Sequence, residues 1–141
     1  MPFSQAISQN APLARLLYVS ELTPGVPVTE VSRIVASARH RNAEAQITGL
    51  LVFDGATFCQ YVEGPPAAVE ALSGRLRLDP RHGAMQVLVA GASPGERRFV
   101  DWRLGYVDSF EIDELGILRE LRGDAALACF ERLVPRLDVE A

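Results

Sequence analysis

Three polar side chains occupy positions where the surrounding pattern predicts apolar ones. Tyr18 lies in the apolar segment LLYVS, Asn42 continues an apolar helical stripe, and Gln60 alternates with Phe58 and Val62. Buried amides and phenols need hydrogen-bond partners, because an unpaired polar group costs ~1–3 kcal/mol. A phenol and two amides directed into one cleft between two helices can bind the polar edge of a flat ligand. The phenol is also readily oxidised.

Each of the three residues also has a purely structural explanation. Tyr18 alone would be a core tyrosine whose hydroxyl finds a partner. Asn42 can satisfy its own backbone at a helix end. Gln60 can bond a neighbouring group such as a tyrosine hydroxyl. The sequence leaves these alternatives open beside the ligand site.

A second group of chemically useful residues follows a predicted helix in the segment DPRH, which begins at Asp79. Proline stops the helix and Asp79 caps it, so a simple turn explains the segment. Arg81 and His82 would add two donors at the mouth of the same cleft, where they suit the carbonyl edge of a ring. Ile34 and Leu76, on the two helices, could pack against the faces of that ring.

These residues lie on elements that hydrophobic periodicity and turn residues define. A strand is predicted over 14–20, and a helix capped by Thr29 runs to about Asn42. Strands over 48–53 and 57–63 flank Asp54-Gly55, a strong hairpin signal. The remaining predictions are a helix from Pro65 or Pro66 to Asp79-Pro80, strands over 85–90 and 102–107, and two amphipathic helices within 113–137.

The hairpin sets the neighbours of Gln60. If Asp54 and Gly55 are the two central turn residues, Gly49 pairs with Gln60 and Leu51 pairs with Phe58. Gly49 has no side chain, so this register predicts open space beside the Gln60 amide.

The element order βαββαββ predicts a ferredoxin-like α+β fold, with two helices on one face of the sheet and the C-terminal helices on the other. We divide the chain into a flexible N-terminal tail over 1–13, a core domain over 14–108 and a C-terminal helical cap over 109–141. The length of 141 residues fits this single core.

Composition excludes several functional classes. The net charge of −4 argues against direct nucleic-acid binding. Two distant cysteines give no disulfide framework and no zinc motif, and we predict no metal site. No secretory leader or membrane-length apolar run is recognisable, which predicts a cytoplasmic protein without membrane contact.

Taken together, the motifs resemble the BLUF family of blue-light sensors that use flavin. The resemblance covers most of the chain in the family's order. The matching blocks are LLYVS at Leu16, ARHRN at Ala38, ITGLLVFDG at Ile47, FCQYVEGP at Phe58, LDPRH at Leu78 and FVDWRLGY at Phe99. The chain has the length of the short, single-domain members, so residues 14–108 would form the flavin-binding sensor.

The resemblance implies FAD between the two helices, with FMN or riboflavin as alternatives. It implies that Tyr18 donates an electron and a proton on illumination, and that Gln60 bridges Tyr18 and the flavin. The Gln60 amide would then rearrange by rotation or tautomerisation and shift the absorption to the red. Trp102 matches a tryptophan of the fifth strand that belongs to the same photochemical network.

The remaining flavin contacts are also implied by motif position. Asn42 would hold the C4 carbonyl and N3 edge. The others are Arg81 and His82 near the C2 side, Asp79 near the ribityl chain, Ile34 and Leu76 as apolar walls, and Arg41 beside Asn42. Two positions depart from the family pattern. Leu104 stands where the family often has methionine, and Arg41 where it usually has asparagine or histidine.

The implied function is a non-enzymatic blue-light photoreceptor that signals to a separate, unidentified protein partner; a homodimer is left open. One alternative is a ferredoxin-like ligand-binding or interaction module without photochemistry. Another is an enzyme with Cys59 as nucleophile. Cys59 faces away from Gln60, has no evident His–acid partner in the sequence, and is predicted to pack under the C-terminal helices.

Overall fold

The computed structural model describes residues 11–107 and 114–140. The strands are β1 Leu13–Leu22, β2 Thr48–Phe53, β3 Thr57–Gly64, β4 His82–Ser93, β5 Trp102–Tyr106 and β6 Asp138–Val139. The helices are α1 Glu30–Glu44, α2 Pro66–Leu78, α3 Glu114–Arg119 and α4 Gly123–Leu133, followed by a short 3-10 turn over Val134–Arg136.

The six strands form one sheet in the order β4-β1-β3-β2-β5-β6. The first four positions give the ferredoxin-like arrangement, in which β3 lies between β1 and β2 and pairs antiparallel with both. β5 adds parallel to β2, and β6 pairs antiparallel with β5. The predicted α+β fold class is therefore confirmed. β6 was not predicted, because two residues carry no readable period.

Alternating side chains give the sheet two buried faces. We call the one that carries α1 and α2 the α1/α2 face; its core includes Tyr18, Val62 and Trp102. The other, the α3/α4 face, buries Cys59 and Tyr61 against the C-terminal helices. The two faces thus share a single layer of backbone.

The hairpin register differs from the prediction. Phe53 pairs with Phe58, so Gly55 and Ala56 are the central turn residues. Asp54 stands just before them, and its Oδ1 accepts the backbone N–H of Ala56 at 2.9 Å and of Thr57 at 2.7 Å. The aspartate shapes the turn with its side chain instead of occupying its centre.

This register moves Gly49 away from Gln60. Gly49 pairs with Val62, and Leu51 lies opposite Gln60. The prediction of open space beside the Gln60 amide is therefore wrong. Glycine is required at position 49 for another reason: a Cβ there would lie 2.0 Å from the carbonyl oxygen of Tyr61, at a φ of +154°.

Thr29 precedes α1 as predicted but does not cap it with its side chain. Its φ and ψ are helical, unlike the extended values that a capping residue typically has. Instead the Ser32 hydroxyl donates to the Thr29 carbonyl at 2.9 Å. The helix ends at Glu44, two residues beyond the predicted Asn42, and Gln46 follows with a φ of +61°.

Most of the predicted tail and part of the predicted cap lie outside the described residues, which omit 1–10, 108–113 and 141. Leu13, assigned to the tail, is the first residue of β1. Among residues 11–107 and 114–140, no helix is long and apolar enough to cross a membrane.

Candidate functional site

A cleft opens between α1 and α2 above the sheet. It is lined by Tyr18, Ile34, Ala38, Asn42, Leu51, Phe58, Gln60, Leu72, Leu76, Asp79, His82 and Trp102. Tyr18, Gln60 and Trp102 come from three strands, while Asn42 comes from the last turn of α1. The apolar members form the walls, and the polar ones cluster along the floor and at the two ends.

Gln60 is the centre of a buried hydrogen-bond chain. Its Nε2 donates to the Tyr18 hydroxyl at 2.7 Å, and its Oε1 accepts the Trp102 indole N–H at 2.9 Å. An indole nitrogen can only donate, so the amide oxygen must face Trp102 and the NH₂ must face Tyr18. The orientation of this amide is therefore fixed by its neighbours.

Tyr18 lies directly opposite Gln60 across the β1–β3 pair. It is 3% exposed, and burial raises the pKa of its phenol far above the ordinary value of 10.0. The hydroxyl is therefore neutral at physiological pH. Its oxygen is the acceptor toward Gln60, so its own proton is free to be donated into the cleft.

Asn42 is 1% exposed, and its Nδ2 has no hydrogen-bond partner among the described residues. Self-satisfaction at the helix end, the structural alternative, does not account for this amide. An unpaired buried amide is costly, and here the residue lines the cleft. Asn42 thus presents a donor to whatever the cleft binds.

His82 lines the cleft, but both ring nitrogens already have protein partners. Nε2 lies 2.7 Å from the Leu76 carbonyl and must donate to it, because a carbonyl only accepts. Nδ1 lies 2.8 Å from the Ser20 hydroxyl. His82 therefore braces the end of α2 against β1, and it is not the free donor that the sequence suggested.

Asp79 and Arg81 form a pair at the same end. Arg81 Nη2 lies 2.8 Å from Asp79 Oδ2, and its Nε donates to Oδ1 at 3.0 Å. The Arg81 side chain is the main cause that lowers the pKa of Asp79 below its usual 3.8. Asp79 lines the cleft and Arg81 does not, so the predicted second donor is held by the carboxylate.

Arg41 is exposed, and its Nη2 donates to Ser37 Oγ on the same helix at 3.3 Å. It does not line the cleft. Ile34 and Leu76 do line it, one on each helix, as expected for apolar walls. Sequence reasoning missed four further lining residues, Ala38, Leu51, Phe58 and Leu72. The signal existed for Ala38 and Leu72, since they continue the helical stripes that contain Ile34 and Leu76.

Cys59 is fully buried on the α3/α4 face, and burial raises the pKa of its thiol. A nucleophilic cysteine requires an accessible thiolate. Cys59 instead packs under the C-terminal helices as predicted, which removes the basis for the nucleophile hypothesis.

These residues fit the flavin that the sequence motifs imply. The unpaired Asn42 amide and the Tyr18 hydroxyl proton supply donors for a ring edge with carbonyl and nitrogen acceptors. Ile34 and Leu76 supply apolar surface from both helices for its faces. Cofactor sites typically have apolar walls and a small number of polar groups deep inside them.

Comparisons with known proteins agree with this geometry. The chain is 33% identical over 85 residues to the blue light- and temperature-regulated antirepressor BluF of Escherichia coli K12, covering 60% of this chain and 21% of that protein. It spans about a fifth or less of the length of the curated relatives it matches.

Two solved structures share the fold. The dark state of BlrB, a BLUF protein, superposes with a TM-score of 0.70 at 31% identity, covering 87% of this chain and 95% of that one. Klebsiella pneumoniae BlrP1 with FMN and cyclic diGMP gives a TM-score of 0.61 at 33% identity, covering 68% of this chain and 26% of that one. The family model for sensors of blue light using FAD matches residues 13–105, so the chain belongs to the BLUF family.

Proposed function

We propose that this chain is a blue-light photoreceptor module in which Tyr18, Gln60 and Trp102 form the light-sensitive hydrogen-bond network. The observation that carries the proposal is the Gln60 amide, held between a phenol and an indole on the floor of the cleft. Family membership supports flavin as the ligand of that cleft.

A bound flavin supplies a blue-light absorber that, when excited, takes an electron from a phenol beside it. Tyr18 is suited to be that phenol, because a phenol is protonated at physiological pH and burial raises its pKa further. Its oxygen accepts from Gln60, so the O–H proton is available to a cleft ligand.

The Gln60 amide has two arrangements with different partners. In the present one, Nε2 faces Tyr18 and Oε1 faces Trp102. Rotation by 180° would turn Oε1 toward Tyr18, where it can accept the phenol proton, and would place NH₂ against the indole N–H. Two donors cannot bond, so rotation breaks the link to Trp102. Tautomerisation of the amide is the other rearrangement that the residues permit.

We propose Asn42, Ile34, Leu76 and Asp79 as cofactor contacts that act directly. His82 contributes as the brace between Ser20 and α2, and Arg81 contributes by fixing Asp79. Arg41 can join them only by leaving Ser37. FAD is the proposed cofactor, with FMN or riboflavin as alternatives that extraction and chromatography of the bound flavin would distinguish.

The proposed output is non-enzymatic, through a separate protein partner without membrane or nucleic-acid contact, in the cytoplasm. We expect the signal to reach that partner through the C-terminal helices on the α3/α4 face, because α4 packs directly over Tyr61 on the strand that carries Gln60. Hydrogen exchange of 114–140 in dark and lit protein tests this route, and unchanged protection would reject it. Sedimentation of the purified chain tests the homodimer.

The deciding experiment is the absorption spectrum of the purified, flavin-loaded protein before and after blue light. The expected result is a flavin spectrum that shifts reversibly to the red. Red illumination at equal dose is the control and should leave the spectrum unchanged. A flavin spectrum that never shifts would favour the non-photoactive binding module and overturn the proposed photochemistry.

A further inference from the structure

Glu63 is a fully buried carboxylate that the proposed photochemistry does not use. It lies on β3 and points to the α3/α4 face, opposite to Gln60. Its Oε2 accepts the backbone N–H of Arg98 at 2.5 Å and of Phe99 at 2.9 Å, and its Oε1 accepts the Tyr61 hydroxyl at 3.2 Å. Burying a carboxylate is costly unless such bonds compensate for its lost hydration.

The two N–H groups belong to the connection between β4 and β5, residues 94–101. Arg97 of the same connection donates through Nη1 to Thr48 Oγ1 at 2.9 Å and to the Glu63 carbonyl at 3.3 Å. Glu63 and Arg97 together attach the connection to the ends of β2 and β3. Charge-assisted bonds to backbone N–H are among the stronger protein hydrogen bonds.

This attachment lies immediately before Trp102. After Phe99 the chain passes through Val100, which is 92% exposed, to Asp101, whose carbonyl accepts the Gly49 N–H at 2.9 Å. Trp102 then starts β5 opposite Gly49. The contacts of residues 97–101 therefore set where β5 begins along β2, and so where the indole N–H lies relative to Gln60.

We infer that Glu63 is a positioning residue for the light switch, because it anchors the 94–101 connection that carries Trp102 to Gln60. The inference rests on the proposed function for its role in photochemistry. The 94–101 connection also contacts its neighbours on the α3/α4 face. Phe99 packs beside Tyr61 of β3 with ring centroids 5.7 Å apart, and Arg98 pairs with Glu131 of α4.

The test is Glu63→Gln in the flavin-loaded, dark-adapted protein. The amide oxygen can take the place of Oε2 and accept both backbone N–H groups, while its NH₂ donates to the Tyr61 hydroxyl. Both anchor bonds lose the negative charge that strengthens them. The chain has a single tryptophan, so the ¹⁵N-indole resonance reports Trp102 alone. We expect that resonance to move, and protection of the indole N–H from exchange to fall at least about tenfold, which corresponds to about 1.4 kcal/mol.

Glu96→Gln is the matched control, since Glu96 is an exposed glutamate of the same connection. It should leave the indole resonance and its protection unchanged. An unchanged indole signal in a folded Glu63→Gln protein would overturn the inference. If that variant does not fold, Arg97→Gln decides: it loosens the same connection from an exposed position and should shift the indole signal in the same direction, whereas no shift would overturn the inference.

A double-mutant cycle separates positioning from a general structural effect. Glu63→Gln should change the dark-recovery rate of the wild type but have no further effect in a Trp102→Phe background. An equal change in both backgrounds would show that Glu63 does not act through Trp102. The indole measurement needs no photochemistry, so failure of the wild type to photoconvert would refute the proposed function and leave the positioning of Trp102 separately tested.

Discussion

Replacing Tyr18 by phenylalanine removes one oxygen from the centre of the network while keeping the ring. That oxygen is both the proposed photochemical donor and the acceptor for Gln60 Nε2. We therefore expect two separate losses, one in photoconversion and one in stability.

The expected loss of stability follows from the direction of the hydrogen bond. Because Tyr18 is the acceptor, the variant leaves a buried amide N–H without a partner. Gln60 is 4% exposed, and Oε1 remains bonded to Trp102, so the amide cannot readily turn to find another acceptor. The free energy of unfolding should fall by ~1–3 kcal/mol, the cost of an unsatisfied buried group. An exposed hydroxyl would cost far less.

Urea unfolding of the dark protein measures the free energy of unfolding, and absorption before and after blue light measures photoconversion. Tyr106→Phe is the matched control, because Tyr106 is 42% exposed and lies on β5 outside the cleft. It should change neither quantity appreciably. If Tyr18→Phe photoconverts like the wild type, Tyr18 is not the electron donor, and Trp102 becomes the first candidate.

Three further predictions test other parts of the site. Gln60→Leu should retain flavin but lose the red shift, and a normal shifted photoproduct would remove Gln60 from the mechanism. Asn42→Leu should weaken flavin retention in dialysis while raising the stability of the flavin-free protein by ~1–3 kcal/mol, since it removes an unpaired buried amide; a loss of stability would contradict this reasoning. Asp79→Asn should destabilise the flavin-saturated protein most near neutral pH. The folded-state pKa of Asp79 is depressed by Arg81, so its contribution is full above the ordinary pKa of 3.8 and is lost as pH falls through the lower folded value. If the stability difference between the wild type and Asp79→Asn does not shrink in acid, this assignment of the pH dependence to Asp79 is wrong.

The alternation of β3 was readable from the sequence because both faces of the sheet are buried by different partners. Phe58, Gln60 and Val62 share the α1/α2 face, and Cys59 lies on the other, as predicted. Spacing of about four residues likewise placed Ile34 and Asn42 on one side of α1.

The sequence does not reveal structural details that depend on hydrogen bonds from side chains within loops. An Asp-Gly pair signals a turn, but the bonds from Asp54 to Ala56 and Thr57 decide which two residues occupy its centre. The sequence predicted Arg81 and His82 as donors at the cleft. In the structure His82 lines the cleft with both ring nitrogens bonded to protein groups, and Arg81 does not line it and is paired with Asp79.

Glu63 was overlooked although its signal was present. Its position in the alternation puts it on the same face as Cys59 and Tyr61, so a buried acid was indicated. The partners that make its burial tolerable are backbone groups of a connection more than thirty residues away, Arg98 and Phe99. No local pattern reveals such a contact.

The unpaired Asn42 amide has a consequence for the amount of this protein that a cell can maintain. A ligand that binds only the folded state adds to stability in proportion to the logarithm of its concentration, about 2.7 kcal/mol at a hundredfold excess over its Kd. A chain whose folded form leaves a buried amide unsatisfied depends more on that contribution. Marginally stable proteins are removed by cellular proteolysis. With flavin as the proposed ligand, the abundance of this protein should therefore follow flavin supply, so that the flavin-loaded molecules are the ones that persist.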